Sequence, residues 1–264
     1  MNFLDVILQE KAHELARAKA ACTEAQMRRR AAARTSPFRG FEAAMRGHGV
    51  RIVAEIKRAS PSKGDIQPNL DPATVASAYE AGGAAALSVL TETAFFKGSI
   101  DDLRLARQAV HIPVLRKDFI IDPYQVYESC AIGADAILLI VRILDEASLR
   151  ALHDLARQCG LDVLTEVYDD QDLDRALAIG AAVIGINNRN LSTFDTHLSN
   201  ASTLARRISP PALVVALSGI SSKHDVECLA KQGLSRFLIG EALVKQDDPA
   251  TLLHDMIAVE VPHD

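Results

Sequence analysis

The chain has 264 residues, 48% of them hydrophobic and 24% charged, a composition typical of a folded protein with a large core. Its formal net charge is -5 and its pI is near 5.9, with Lys and Arg spread along the chain, so nucleic acid is not an expected partner. No apolar run reaches the roughly 18 residues of a membrane span, and the charged N-terminus does not resemble a signal peptide. We therefore expect a cytoplasmic protein without a membrane partner.

Residues 1–48 are predicted to form a helical extension packed on the domain that follows. Apolar residues recur there at helical spacing, at Leu4, Ile7, Leu8 and Leu15. Thr23 and Gln26 have the spacing of a capping box before a second helix. The segment 36–41 is expected near a rim of that domain. The extension is too short and too polar to have a core of its own.

From residue 51 onward the sequence repeats one cycle of β-branched run, polar loop, amphipathic stretch and glycine. The eight runs begin at residues 51, 84, 112, 135, 161, 181, 212 and 235. Helix starts are indicated by Asp-Pro pairs at 71, 122 and 248 and by Ser-Ile-Asp-Asp at 99. Helix ends are indicated by glycines at 83, 133, 160, 180 and 233.

Eight β-α units with short connections predict parallel strands with helical crossovers. The simplest such fold is α/β, a single (β/α)8 barrel formed by residues 49–264. An open doubly wound sheet is the alternative, but no G-x-G-x-x-G motif follows the first strand.

The first run ends in two charged residues of opposite sign. Because alternate strand residues share a face, Val53, Glu55 and Lys57 lie together, away from Ile52 and Ile56. The apolar face suits the surrounding helices, so Glu55 and Lys57 are predicted to point into the C-terminal mouth of the barrel, where barrel enzymes bind their ligands. A structural ion pair at the rim is the alternative for this strand alone.

Other strands end in the same way. Their terminal polar residues or glycines are Lys117 with Asp118, Glu166, Asn187, Ser218 and Gly240. Unpaired ions at such a mouth cost on the order of several kcal/mol each, so a ring of this kind is usually retained for chemistry.

The ring predicts proton transfer without a cofactor. The four cysteines stand far apart, with no C-x-x-C pair or nearby His at ligand spacing, so we expect no metal site and no disulfide framework. No P-loop or dinucleotide motif is present either. Clustered lysines lower each other's pKa and carboxylates raise it, a balance that sequence leaves open. Lys57 or Lys117 could also act as a Schiff-base nucleophile.

The last two strands are followed by glycines that suit a phosphate cradle. Ala-Leu-Ser-Gly-Ile spans 216–220 and Leu-Ile-Gly-Glu-Ala-Leu spans 238–243. In many barrels these loops bind phosphate through backbone N–H groups, and Gly219 and Gly240 would allow the close approach. A phosphorylated substrate is therefore indicated.

Several motifs together resemble one enzyme family. They are AEIKRASPSKG, LRKDFI, TEVYD, GINNRNL, SGI and LIGEAL, in this order. In sequence and separation they resemble indole-3-glycerol phosphate synthase of tryptophan biosynthesis, which also carries an N-terminal helical extension. The resemblance implies a carboxy-lyase that converts 1-(2-carboxyphenylamino)-1-deoxyribulose 5-phosphate into indole-3-glycerol phosphate, carbon dioxide and water.

The resemblance also implies roles for the ring. Lys117 resembles the general acid for ring closure, and Glu166 resembles the acid or base of the later dehydration. Lys57 would pair with the substrate carboxylate or assist proton transfer, while Glu55 would orient the lysine and the leaving hydroxyl. Asn187 would hold the anilino or hydroxyl groups.

Further residues are expected to bind the substrate. Arg189 would support the loop or the carboxylate side, and the phosphate region would comprise Ser60, Ser218, Gly219, Gly240 and Glu241, the last through its backbone N–H alone. Phe96, Phe119 and Phe38 are candidates for an apolar wall against the aromatic ring.

One position departs from the family. Leu217 stands where the family commonly has Glu before Ser-Gly-Ile, which removes a carboxylate near the lysines and alters pKa tuning more than the reaction itself.

Two alternatives to this function remain. One is another phosphate-binding barrel enzyme, either a sugar-phosphate isomerase or a Schiff-base aldolase that uses Lys117. The other is an inactive barrel that serves as a scaffold. The implied partner is a small phosphorylated anilino-sugar, and the compact chain is expected to be a monomer, with weak self-association as the alternative.

Overall fold

The computed structural model describes residues 3–190 and 194–261, so Leu191, the last residue of the GINNRNL motif, lies outside the described residues. Its helices are α1 Phe3–Ala21, α2 Glu24–Ala32, α3 Phe41–Met45, α4 Pro72–Ala81, α5 Ile100–Ala109, α6 Pro123–Ile132, α7 Glu146–Gln158, α8 Asp170–Ala178, α9 Ser199–Ala205, α10 Lys223–Ala230, α11 Glu241–Val244 and α12 Pro249–Ile257. A 3-10 turn spans Val141–Ile143. Within these ranges, no helix is long and apolar enough to cross a membrane.

The strands are β1 Arg51–Ile56, β2 Ala59–Ser60, β3 Gly64–Asp65, β4 Ala86–Leu90, β5 Val114–Lys117, β6 Ala136–Ile140, β7 Asp162–Val167, β8 Val183–Asn187, β9 Leu213–Leu217 and β10 Arg236–Ile239. Eight of them form a closed parallel barrel in the order β1-β10-β9-β8-β7-β6-β5-β4, and β2 and β3 pair as a separate antiparallel ribbon. The barrel closes because β1 pairs with both β10 and β4. The predicted (β/α)8 fold with N-terminal helices is confirmed.

The local signals for helix starts and ends act as expected. Asp71, Asp122 and Asp248 each accept backbone N–H bonds at the start of a helix whose first residue is proline. Gly133 ends α6 with a φ of 96°, in the left-handed region that glycine adopts without steric cost.

Two layers of buried side chains follow from the alternation along each strand. Ile52 and Ile56 belong to the core between the barrel and its helices, whereas Val53 belongs to the core inside the barrel. Glu55 lies two residues beyond Val53, on the same face and nearer the C-terminal end of β1. The barrel interior is therefore apolar up to the level at which the charged residues begin.

The N-terminal helices cover both ends of the barrel. Phe41 and Met45 of α3 are fully buried in the interior core, and the Glu42 N–H donates to Asp162, the first residue of β7, at 2.9 Å. This end is the N-terminal end of the strands. Phe3 and Leu4 of α1 lie at the opposite end, where they line the cavity described below.

The prediction that Phe38 contributes to the substrate wall is wrong. Its ring lies 2.9 Å from where a Cβ on Gly160 would stand, and Gly160 lies two residues before the start of β7. The Arg34 guanidinium lies over the same ring at 3.7 Å. Because Phe38 packs at the N-terminal rim, the whole barrel separates it from the mouth.

A buried ion pair fixes α1 to the barrel. The Lys11 Nζ lies 2.7 Å from Asp118 Oδ1, and the two side chains are 2% and 0% exposed. Asp118 also accepts from Arg116 at 2.9 Å and from Thr91 at 2.7 Å. Burial alone would lower the pKa of Lys11, but attraction to Asp118 raises it, so the pair is ionised at neutral pH.

Replacing Lys11 with methionine should lower the free energy of unfolding by about 3 kcal/mol, because Asp118 loses one of its two buried cationic partners. The matched control is Lys19→Met on the same helix. The Lys19 pair with Asp122 has side chains 35% and 25% exposed, so its loss should cost less than about 1 kcal/mol. Urea denaturation of both variants measures the difference, and equal losses would contradict the assigned importance of burial.

Candidate active site

A cavity of about 420 Å³ opens at the C-terminal mouth of the barrel. Its volume is in the range of small-molecule sites. Around it lie Glu55, Lys57, Ser60, Phe96, Lys117, Phe119, Glu166, Asn187, Arg189, Ser218, Gly219, Gly240 and Glu241. The structure therefore brings these candidates from the sequence analysis to one pocket, with Phe38 excluded.

Glu55 is the centre of the charged ring. Its Oε1 accepts from Lys57 Nζ at 2.7 Å, and its Oε2 lies 3.5 Å from Lys117 Nζ. Burial would raise the pKa of Glu55, but attraction to Lys57 and then Lys117, with hydrogen bonds from both, lowers it to about 2. One carboxylate thus holds two ammonium groups side by side.

The pKa of Lys117 is raised. Burial lowers it, and attraction to Glu55 and then Glu166 outweighs that effect. The balance that the sequence left open is therefore decided by the carboxylates. Lys117 is an ammonium ion at neutral pH, which suits a proton donor and not a Schiff-base nucleophile, since the nucleophile must be a free amine.

Glu166 lies across the mouth from Glu55 and differs from it electrostatically. Burial raises the pKa of Glu166 and is only partly opposed by Lys117 and by a hydrogen bond from Asn187. Asn187 Nδ2 donates to Glu166 Oε1 at 2.9 Å, while Asn187 Oδ1 accepts the Arg189 N–H at 2.9 Å. Asn187 therefore fixes the orientation of a carboxyl group whose raised pKa suits proton exchange.

The glycine-containing loop after β9 adopts a left-handed turn. Ser218 and Gly219 have φ values of 65° and 80°. A Cβ on Gly219 would stand 2.6 Å from Thr196 Cγ2, so glycine is required by both conformation and space. Asn188, which sequence reasoning missed, donates to the Ser218 carbonyl at 3.1 Å and holds this turn.

Further polar groups that line the cavity suit the binding of an anion. The Ser60 hydroxyl is buried and has no hydrogen-bond partner among the described residues. Lys63, also missed, lines the cavity. The Glu241 carboxylate accepts from Lys245 at 2.7 Å, and this bond lowers its pKa.

The other side of the cavity is apolar. The rings of Phe96 and Phe119 are tilted, with centroids 6.3 Å apart. Phe3, Leu4 and Ile7 of α1 complete this side. Sequence reasoning recognised Leu4 and Ile7 as apolar helix positions, but the pattern does not show that this helix end reaches the mouth.

Comparison with known proteins identifies the family. A family model for indole-3-glycerol phosphate synthase matches residues 4–256. The chain belongs to the indole-3-glycerol phosphate synthase family. It is 48% identical over 259 residues to the indole-3-glycerol phosphate synthase of Desulfosudis oleivorans, covering 97% of this chain and 98% of that protein. It is 47% identical over 261 residues to that of Bordetella pertussis, covering 97% and 99%.

A solved structure shares the fold alone. Thiamine phosphate pyrophosphorylase from Pyrococcus furiosus superposes with a TM-score of 0.60 at 16% identity, covering 78% of this chain and 93% of that chain.

Leu217 places an apolar side chain at the mouth, directly before Ser218 and Gly219. It lines the cavity and is 2% exposed, and its Cδ1 lies 2.9 Å from where a Cβ on Gly185 would stand. Of the described carboxylates, Glu55 and Glu166 are those whose charge raises the pKa of Lys117. The charge balance of the ring therefore depends on these two groups.

Replacing Gly240 with alanine should misplace Glu55. A Cβ there would lie 2.6 Å from Glu55 Oε1 and 3.0 Å from Glu55 Cβ. We expect kcat to fall by about tenfold or more, since displacing an active-site group by an ångström is costly. Gly180→Ala is the control, because its positive φ introduces strain but nothing lies within 4 Å of the new Cβ. A kcat for Gly240→Ala equal to that of the control would refute the steric explanation.

Proposed function

We propose that this chain converts 1-(2-carboxyphenylamino)-1-deoxyribulose 5-phosphate into indole-3-glycerol phosphate, carbon dioxide and water, as a carboxy-lyase. The observation that carries the proposal is the convergence of Lys57, Lys117 and Glu166 on one pocket with an apolar wall opposite an anion-suited side. The family of the chain supports the same reaction. The pocket matches a substrate that carries an aromatic ring at one end and a phosphate at the other.

Lys117 would protonate the ketone during ring closure. The ring carbon that bears the carboxylate attacks the ketone carbon, and the ketone oxygen becomes a hydroxyl. Aromaticity is lost in this step, so stabilising charge on the developing oxyanion lowers the barrier. The raised pKa of Lys117 keeps it cationic for this role.

Loss of carbon dioxide then restores the aromatic ring. The carbon–carboxylate bond breaks and its electrons return to the ring. Lys57, 2.7 Å from Glu55 Oε1, would pair with the substrate carboxylate before this step or assist proton transfer after it.

Dehydration completes the indole. Glu166 would act as the base that removes a proton from the methylene group beside the nitrogen, while the neighbouring hydroxyl leaves as water. Asn187 would orient Glu166 and the substrate nitrogen, and Glu55 would orient the lysine that protonates the leaving hydroxyl.

The remaining residues would bind the two ends of the substrate. Phe96 and Phe119 would contact its aromatic ring, and Arg189 would support its carboxylate side. The phosphate would bind to Ser60, Ser218, Gly219, Gly240 and the backbone N–H of Glu241, with Lys63 as a further cation.

The alternatives fit the pocket less well. A Schiff-base aldolase needs a neutral amine, and the pKa of Lys117 is raised. A sugar-phosphate isomerase does not need the aromatic wall. A scaffold does not need a buried ring of ammonium and carboxylate groups, which costs on the order of several kcal/mol for each poorly paired ion. Cytoplasmic location, a monomeric state and the absence of a cofactor remain predictions.

The purified chain should form the fluorescent indole product from the anilino-ribulose phosphate in the presence of a metal chelator.

Lys117→Met should lower kcat by about a thousandfold or more while substrate still binds, since it removes a general acid that also neutralises the oxyanion. The exposed Lys231→Met is the matched control. Near-normal turnover by Lys117→Met would refute the general-acid role.

The pH dependence tests Glu166. As a base it must be ionised, so kcat should fall as pH drops through its raised pKa, above the ordinary 4.5. Glu166→Gln should lower kcat by about a hundredfold and remove this acid limb. It should also cause an intermediate formed after decarboxylation to accumulate. A wild-type acid limb that persists in Glu166→Gln would assign it to another group.

A further inference from the structure

Glu92 is a buried acid outside the charged ring. It follows β4 by two residues, is 1% exposed and does not line the cavity. Its carboxylate accepts three consecutive backbone N–H groups. Ala94 donates to Oε1 at 2.9 Å, and Phe95 and Phe96 donate to Oε2 at 2.8 and 2.9 Å.

The same loop is also closed through its backbone. The Gly98 N–H donates to the Glu92 carbonyl at 2.8 Å. A Cβ on Gly98 would stand 2.1 Å from the Leu90 carbonyl oxygen, so only glycine lets the chain return this close to the end of β4. Residues 92–98 therefore form a compact loop around the Glu92 carboxylate.

The loop contacts three other parts of the mouth. Phe96 lines the cavity beside Phe119. The Phe95 ring packs edge-on against Phe3 of α1, with centroids 5.2 Å apart. Lys97, at a φ of 54°, reaches Asp65 of β3 with an Nζ–Oδ1 distance of 2.5 Å. One set of backbone positions thus determines where all three side chains lie.

We propose that Glu92 is a positioning residue, whose carboxylate fixes the 92–98 backbone so that Phe96 stands correctly against the aromatic ring of the substrate. The inference rests on the proposed function. Three N–H groups point at two acceptor oxygens, so a carboxylate satisfies them all. A glutamine has one acceptor oxygen, and its NH₂ group would face at least one of these N–H groups. The substitution therefore removes at least one hydrogen bond that holds the loop, while side-chain size stays nearly the same.

The test compares Glu92→Gln with Glu80→Gln. Glu80 is a matched control, because its carboxylate accepts the N–H groups of His111 at 2.8 Å and Ile112 at 3.1 Å at the opposite end of the barrel. Glu92→Gln should raise KM for the anilino-ribulose phosphate by about tenfold and leave kcat within about threefold, as expected when binding is lost from ground and transition states alike. Glu80→Gln should leave both constants unchanged.

Two further measurements separate positioning from general damage. Phe96→Ala should reproduce the rise in KM, and adding Glu92→Gln to Phe96→Ala should raise KM by less than about twofold more, since both act on one contact. Inhibition by inorganic phosphate should be the same in Glu92→Gln and wild type, because the anion-suited side of the cavity is unaffected. Glu92→Asp, which keeps the charge but shortens the reach, should also raise KM.

The outcomes distinguish the two proposals. Absence of turnover in the wild-type chain would count against the proposed function. Turnover in the wild type with an unchanged KM in Glu92→Gln, or an undiminished effect in the Phe96→Ala background, would overturn the positioning role alone. Failure of both Glu92→Gln and Glu92→Asp to fold would also overturn it, since Glu92 would then be a determinant of the barrel itself.

Discussion

The contact on which the mouth of the barrel depends is the one between the Glu55 carboxylate and two ammonium groups. Two lysines placed side by side in a partly buried pocket repel each other and tend to lose a proton. Glu55 prevents this, because its two oxygens face Lys57 at 2.7 Å and Lys117 at 3.5 Å. With Glu55 ionised, Lys117 remains cationic in the pocket, while burial, together with the charge of Glu55, raises the pKa of Glu166.

The rest of the fold holds this contact in a shaped site at the mouth. Val53 and the other interior apolar residues fill the barrel beneath it. The buried pair between Lys11 and Asp118 holds α1 at the mouth, and Asp118 directly follows Lys117 in the chain. The loop around Glu92 places Phe96 on the apolar side. The extension and this loop are thus parts of the pocket as well as of the surface.

Local physical rules account for what could be predicted from the sequence. Alternation along β1 determines that Glu55 faces inward with Val53, and parallel strands bring their C-terminal ends to one mouth, so Lys117 and Glu166 could be assigned to the same pocket. The Asp-Pro signals for helix starts and the glycine signals for helix ends act within a single helical turn, so they can also be recognised in the sequence.

Other features depend on distances that no local rule supplies. The sign of the Lys117 pKa shift depends on how closely Glu55 and Glu166 approach it. The contribution of Phe3 to the pocket depends on where α1 crosses the mouth. The prediction for Phe38 is wrong because the sequence does not show which of the two rims of the barrel an aromatic residue contacts. Glu92 was missed because its partners are backbone N–H groups, which leave no pattern in the side chains.

The most direct test is to measure the pKa of Lys117 by NMR of its side chain, in the wild type and in Glu55→Gln. We predict a wild-type pKa above the ordinary 10.5 that falls when Glu55 loses its charge, since burial then outweighs the remaining attraction to Glu166. A wild-type pKa below 10.5, or one that does not change in Glu55→Gln, would contradict it.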